Sequence, residues 1–350
     1  MLAALIAVGI PLLFLLFIYV LDLYASSTFR LVALCFAWGA VGGAGLSYLI
    51  NVRITVPLIL DRGLDYVLLY VLFAPVVEEI FKSVVLVYTS RRPEFTYFAD
   101  GAIYGFAAGI GFSVTENFLH MSYYPENQIA LAFVRAFSVC LMHGTATALV
   151  GVAVARLRFR GRTVEWLGLF EGWVAAILLH IMFNSVSQNA SFSQALIVPL
   201  QVALGGAGVV LTIMLILAGL REERRWISAT LEKRGVSRAE VRGAQASGDL
   251  NQVLRPITQQ FPKEAEQLET LLRRQAQLGI KRKIWHKADN PRLARELGEE
   301  VALLEEDVEQ LRREMSVCTS AYLQCVFPEG EGDIWPCLEE MVSCSSLSKA

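Results

Sequence analysis

The stretch Val76-Val77-Glu78-Glu79-Ile80-Phe81-Lys82 puts three ionisable side chains into a run, Leu64–Tyr88, that is otherwise apolar enough for lipid. A charge at the middle of a bilayer costs from roughly 3 kcal/mol upward, and adjacent acids cost more because like charges ionise together poorly at low dielectric. On a helix Glu78 and Lys82 are four residues apart and share a face, so they are expected to pair. Glu79 points about 100° away and needs a partner from another segment. Pro75, one turn earlier, frees a backbone carbonyl and is expected to kink the helix beside the acids. Ionisable residues inside a membrane mark functional sites by default, so the rest of the chain is read for groups that complete this one.

Charge divides the chain. Residues 1–220 hold 11 of the 31 Lys/Arg and 11 of the 33 Asp/Glu, and the remaining 130 residues hold the rest. The fold class this implies is all-α. Residues 1–220 form a polytopic bundle of about seven transmembrane helices in a lipid bilayer, and residues 221–350 a soluble helical domain. The apolar runs are Leu2–Leu21, Leu31–Ile50, Leu64–Tyr88, Phe98–His120, Ile129–Ala155, Trp166–Val186 and Ala195–Leu220, each near the 20 residues a bilayer needs. The first run has no basic n-region and too long a core for a cleaved signal, so it reads as a retained helix. Lys and Arg concentrate in alternate loops: Arg91 and Arg92, then Arg156, Arg158, Arg160 and Arg162, then Arg221, Arg224 and Arg225. By the positive-inside rule the N-terminus lies outside and the tail in the cytoplasm, with only Arg53 and Arg62 on the wrong side. Basic residues of the tail alternate with acids, so no nucleic-acid partner is expected.

Three more segments carry polar residues at helical spacing. The fourth run has a ridge of Gly101, Gly105 and Gly109, which invites close backbone contact, and then Glu116-Asn117 with His120 four residues after Glu116. The fifth has His143 near its midpoint, and the sixth has His180 and Asn184 on one face. At 1.5 Å per residue, Glu78, Glu79 and His143 come out near the midplane. His180 comes out roughly 7 Å outward, and Glu116 and Asn184 on the order of 10 Å outward. These six are expected to line one cavity opening to the outer side.

In the tail, residues 226–290 read as short helices broken at Gly235, Gly248, Pro256, Pro262 and Gly279. Residues 292–315 carry Leu293, Leu297, Val301, Leu304, Val308 and Leu311 at intervals of three and four. That is the stripe of a helix packed on a partner helix in the same domain or on a second copy. Cys318, Cys325, Cys337 and Cys344 suit a helical hairpin over 316–346, bridged Cys318–Cys344 and Cys325–Cys337. Disulfides conflict with a cytoplasmic tail, so free thiols, a metal site or the opposite topology stand as alternatives.

Acids, histidines and an amide in a dry cavity suit hydrolysis of an amide bond. A glutamate with a histidine neighbour serves as base toward water, and a second histidine with an asparagine donates to the oxyanion. The same residues suit a zinc ion held by His143, His180 and Glu79, with bound water as nucleophile; the spacing leaves both open. Glu78-Glu79-Ile80-Phe81-Lys82 resembles the E-E-x-x-K motif of the PrsW family of intramembrane proteases, relatives of the type II CAAX prenyl endopeptidases and Abi proteins. Phe112-x-x-x-Glu116-Asn117 resembles that family's second motif, His143 its third and His180-x-x-x-Asn184 its fourth, over roughly residues 60–190. The resemblance implies an intramembrane endopeptidase of the bacterial plasma membrane, glutamate-dependent or metal-dependent. Its substrate would be a membrane-anchored protein of the anti-sigma-factor kind. It further implies Glu78 and Glu79 as activating acids helped by His143, with His180 and Asn184 as oxyanion or ligand groups; Lys82, read from its spacing as the counter-ion of Glu78, and Asn117 are expected as structural support. The alternatives are a non-catalytic scaffold resembling the multi-pass subunit of γ-secretase, where intramembrane histidines support assembly, and a proton-coupled transporter.

Overall fold

The computed structural model describes residues 1–22, 28–158, 162–189, 191–246, 250, 254–255, 258 and 261–326. Among these, helix is the only regular structure. The chain divides into two compact units, Met1–Leu220 and Arg221–Ala350.

In the first unit α1 is Leu2–Val20 and α2 is Phe29–Asp61. The second apolar run therefore belongs to a helix that continues past Ile50 and carries Arg53. α3 covers 66–89, α4 is Phe98–Tyr123, α5 is Gln128–Leu157, α6 is Arg162–Ser187 and α7 is Gln194–Glu232, whose residues from Arg221 on belong to the second unit. Among the described residues five helices are long and apolar enough to cross a membrane, namely α1, α2, α5, α6 from Trp166 onward, and α7. α3 and α4 were expected as spans too. They are less apolar because α3 holds Glu78, Glu79 and Lys82, and α4 holds Asp100, Glu116 and four glycines.

α4 is the centre of the unit and is buried along most of its length. Its glycine ridge works as the spacing suggested. A Cβ at Gly101, Gly105 or Gly109 would overlap the carbonyl oxygen of Gly151, Thr147 or His143 respectively, all on α5. Backbones that close exclude side chains from the seam and gain dispersion contact. On its other side α4 meets α2, where Gly39 faces Ala108 and Gly111 faces Phe36 just as closely.

Two helices depart from regular α geometry where they border the polar residues. α3 has a π-helical turn at Leu69–Phe73, in which the N–H of Ala74 bonds the carbonyl of Leu69, five residues back. The next residue in that register is Pro75, which has no N–H to give Tyr70. The expected proline irregularity is thus a π turn. α5 is interrupted at Ser138 (φ −121°, ψ −77°), between Gln128–Phe137 and Val139–Leu157.

In the second unit α8 is Arg238–Gln245, α9 is Pro262–Trp285, α10 is Pro291–Glu314 and α11 is Val317–Val326. Asn290 caps α10 by accepting from the N–H groups of Arg292 and Leu293. The α10 stripe is covered from within the chain: Leu293, Leu297, Val301, Leu304 and Val308 are buried, the last three in a cluster with Leu271 and Leu278 of α9. This is the partner helix within the same domain that the stripe called for. Gly279, expected as a break, lies inside α9, and its missing side chain admits the backbone of Ile227. Gly235 does form a turn, at φ +71°. Gly248 and Pro256 lie outside the described residues, as do Cys337 and Cys344 and the side chains of Cys318 and Cys325.

Candidate active site

A cavity of about 530 Å³ is lined by Tyr70, Ala74 and Glu78 of α3, Glu116 and His120 of α4, Arg135 and His143 of α5, and His180 and Asn184 of α6. Tyr124, Glu126, Gln194 and Gln201 also line it. It therefore opens toward the end of the bundle that carries the loops at 121–128 and 187–194.

The acid–lysine pairing is the reverse of the expected one. Lys82 Nζ lies 2.6 Å from Oε1 of Glu79, three residues before it, and both side chains are fully buried. Glu79 Oε1 also accepts from His180 Nδ1 at 2.8 Å, and Lys82 Nζ donates to His143 Nδ1 at 2.8 Å. The reason is tertiary. On the face toward α5 and α6, Lys82 meets two acceptors and a Phe112 ring centroid at 4.5 Å, whereas on the Glu78 face it would meet one acceptor and the cavity. Glu79, expected among the cavity-lining acids and as the carboxylate ligand, is withdrawn behind His180. Glu78 is the acid that faces the cavity.

The hydrogen-bond chemistry fixes both imidazoles. A carboxylate only accepts, so His180 carries its hydrogen on Nδ1 and presents a lone pair at Nε2. An ammonium only donates, so His143 accepts at Nδ1 and carries its hydrogen on Nε2, which it gives to Glu116 Oε2 at 2.9 Å. The two rings meet edge to face, 4.8 Å between centroids. Glu78 Oε2 is buried, has no hydrogen-bond partner among the described residues, and lies 3.9 Å from His180 Nε2.

Around this centre the supporting bonds are dense. Ser83 donates to the carbonyl of Glu79 and accepts from Trp173 of α6, each at 2.7 Å. Trp38 of α2 donates to the carbonyl of Phe81 at 3.0 Å. Asn184 Nδ2 donates to the Tyr70 carbonyl at 3.0 Å, the acceptor that Pro75 leaves unused in the π turn. Asn117 is buried and joins three helices, accepting from Arg135 Nε at 2.8 Å and donating to Ala7 at 3.2 Å. Glu116 also meets His120 at 3.3 Å, as the spacing of four suggested. Gly109 is the residue of α4 that faces the His143 carbonyl, so Glu116, seven residues on, lies about 10 Å further along the helix, and the two long side chains bridge that height to meet.

Sequence reading overlooked Arg135. It is 6% exposed and stands 2.9 Å from Glu116 Oε2. The signal was present, since it is the only Lys or Arg between Ile129 and Ala155, and a lone cation in such a run calls for a partner.

Glu78, His143 and His180 each offer a ligand atom, and these atoms lie within 4.8 Å of one another. The partnerless oxygen of Glu78 and the carboxylate behind His180 are the features a zinc site uses, so these residues fit a metal. His143 joins only by releasing Lys82 or Glu116 from the nitrogen it offers. Nothing among curated proteins or solved structures matches the chain. Residues 27–219, more than half of it, match the family described as PrsW family intramembrane metalloprotease, and all four polar helices fall inside that match. The chain belongs to the PrsW family of intramembrane metalloproteases.

Proposed function

We propose that the chain hydrolyses a peptide bond in a membrane-anchored protein of the anti-sigma-factor kind, with Glu78 as the base that activates water. The observation that carries this is the 3.9 Å gap between Glu78 Oε2 and His180 Nε2. Both atoms accept, both face the cavity, and a water between them can donate one hydrogen to each. Glu79, paired with Lys82, keeps the His180 lone pair aimed at that water, as an orienting carboxylate does for a catalytic histidine. Glu78 takes one proton as the water oxygen bonds to the substrate carbonyl carbon. The oxyanion meets the second N–H of Asn184. Glu78 then returns its proton to the leaving amine as the C–N bond breaks. A zinc ion held by Glu78, His143 and His180 would polarise the carbonyl and acidify the water at the same place.

The placement proposed with this reading is seven crossings of a bacterial plasma membrane, residues 1–220 as the protease core and 221–350 as a cytoplasmic helical domain. The cavity then opens outward, toward the loops without Lys or Arg. The test uses purified protein, Glu78→Gln and single-span substrates with extracytoplasmic stubs, with cleavage read by mass spectrometry. Cleavage by wild type alone is expected. Equal cleavage by the variant, or none by either across a broad panel, sinks the proposal. Repeating the wild-type assay with chelator and with added zinc separates the two routes for water.

A further inference from the structure

We propose that Arg135 is a positioning residue for this reaction, acting through Glu116 on the Nε2–H of His143; the inference rests on the hydrolytic reading above. One oxygen, Glu116 Oε2, accepts a hydrogen bond from the imidazole at 2.9 Å and forms an ion pair with the guanidinium at 2.9 Å. Positions 135 and 143 stand on either side of the interruption of α5 at Ser138, about 12 Å apart along a regular helix axis, and the long Arg135 side chain spans that distance to the same carboxylate as His143. Arg135 is itself held by Asn117, which accepts from Nε at 2.8 Å. α1 braces the segment too, through Ala3, Ile6 and Ala7 packed with Ala132 and Met121.

The chemistry explains why a cation is needed there. Glu116 and Glu78 line the same cavity, and two acids at one low-dielectric wall repel. Without Arg135, Glu116 is drawn out toward water at the cavity mouth and releases His143. That ring then keeps only the Lys82 contact on its other nitrogen. With Arg135 in place, Glu116 is paired at the wall and holds the His143 ring by its Nε2–H, so that Nδ1 stays on the Lys82 that fixes Glu79 and, through it, His180. Arg135 touches no reacting atom in this scheme, and its effect belongs to kcat rather than to substrate affinity.

The experiment has two readouts on full-length protein in nanodiscs, with Arg135→Ala and the similarly sized neutral Arg135→Met, each checked for folding by size exclusion and circular dichroism. The first is NMR of protein labelled with 15N-histidine. There are only four histidines to assign, and the His143 signal is identified by its loss in His143→Gln. A His143 Nε2–H peak protected from water exchange is expected in wild type, absent in both variants, and restored in Arg135→Ala by added guanidinium but not by ammonium. The second is kinetics: kcat lower by about 10- to 100-fold with KM unchanged, the size usual for a residue that orients an active-site group, and recovered with guanidinium. A protected peak that survives in folded Arg135→Met, or that is missing in wild type, overturns the inference. Wild type that cleaves nothing sinks the hydrolytic reading instead, while the NMR result still decides whether Arg135 sets His143.

Discussion

Glu78 and Glu79 are neighbours in sequence with opposite duties, and substitution should separate them. Glu79 is fully buried between Lys82 and His180. Removing one partner from a buried pair strands the other charge, at a cost of about 3–5 kcal/mol. Glu79→Ala and Lys82→Met should therefore lower the thermal unfolding midpoint in detergent clearly. Glu78 has a buried oxygen with no hydrogen-bond partner. Glu78→Gln should leave the midpoint unchanged or raise it while abolishing cleavage, because an uncompensated acid is lost and no buried pair is broken. A Glu78→Gln protein as unstable as Lys82→Met would show that Glu78, not Glu79, is the structural acid.

At the scale of elements, the site depends on close helix approach and on one irregular turn. Gly109 meets the carbonyl of His143 itself, so a β-branched residue there displaces the imidazole as well as the helix. Gly109→Val is expected to aggregate or lose activity in fluorescence size exclusion and cleavage assays, while Gly206, with open space around it, should accept Ala without effect. The π turn offers a finer test. Pro75→Ala supplies the N–H that Tyr70 lacks and competes with Asn184 for that carbonyl. One neutral hydrogen bond is worth about 1 kcal/mol, so stability should barely move. Activity should fall together with that of Asn184→Ala, and the double variant should be no worse than either alone.

For the whole molecule, the cavity mouth and the basic loops should lie on opposite sides of the membrane. In a background without native cysteines, Glu126→Cys and Ser191→Cys should react with an impermeant thiol reagent applied outside intact cells. Arg91→Cys and Lys233→Cys should react only after permeabilisation. The reverse pattern would invert the proposed orientation and remove the conflict between a cytoplasmic tail and paired cysteines.

What could be read without coordinates was whatever depends on periodicity and composition. The ridge of Gly101, Gly105 and Gly109 sits at the spacing of a helix face, and it packs as a ridge because the helix makes that face continuous. The Glu116–His120 neighbourhood and the stripe from Leu293 to Val308 were legible for the same reason. Reading failed where one helix face has two acceptable partners. Lys82 is within reach of both Glu78 and Glu79, three and four residues being nearly equivalent on a helix, and only the imidazole brought by α5 decides the choice. Gly279 was misread because a glycine that breaks a helix and one that admits another backbone look alike in one dimension. Arg135 was overlooked although a lone arginine in an apolar run asks for a partner, and which acid answers it, Glu116, is visible only once α4 packs on α5. The sequence by itself determined that acids, histidines and an amide share an apolar helical bundle, since lipid leaves such groups few other places to go. Which acid faces the cavity and which is locked behind a histidine was decided only by the tertiary structure, because at low dielectric each charge settles where the most partners converge.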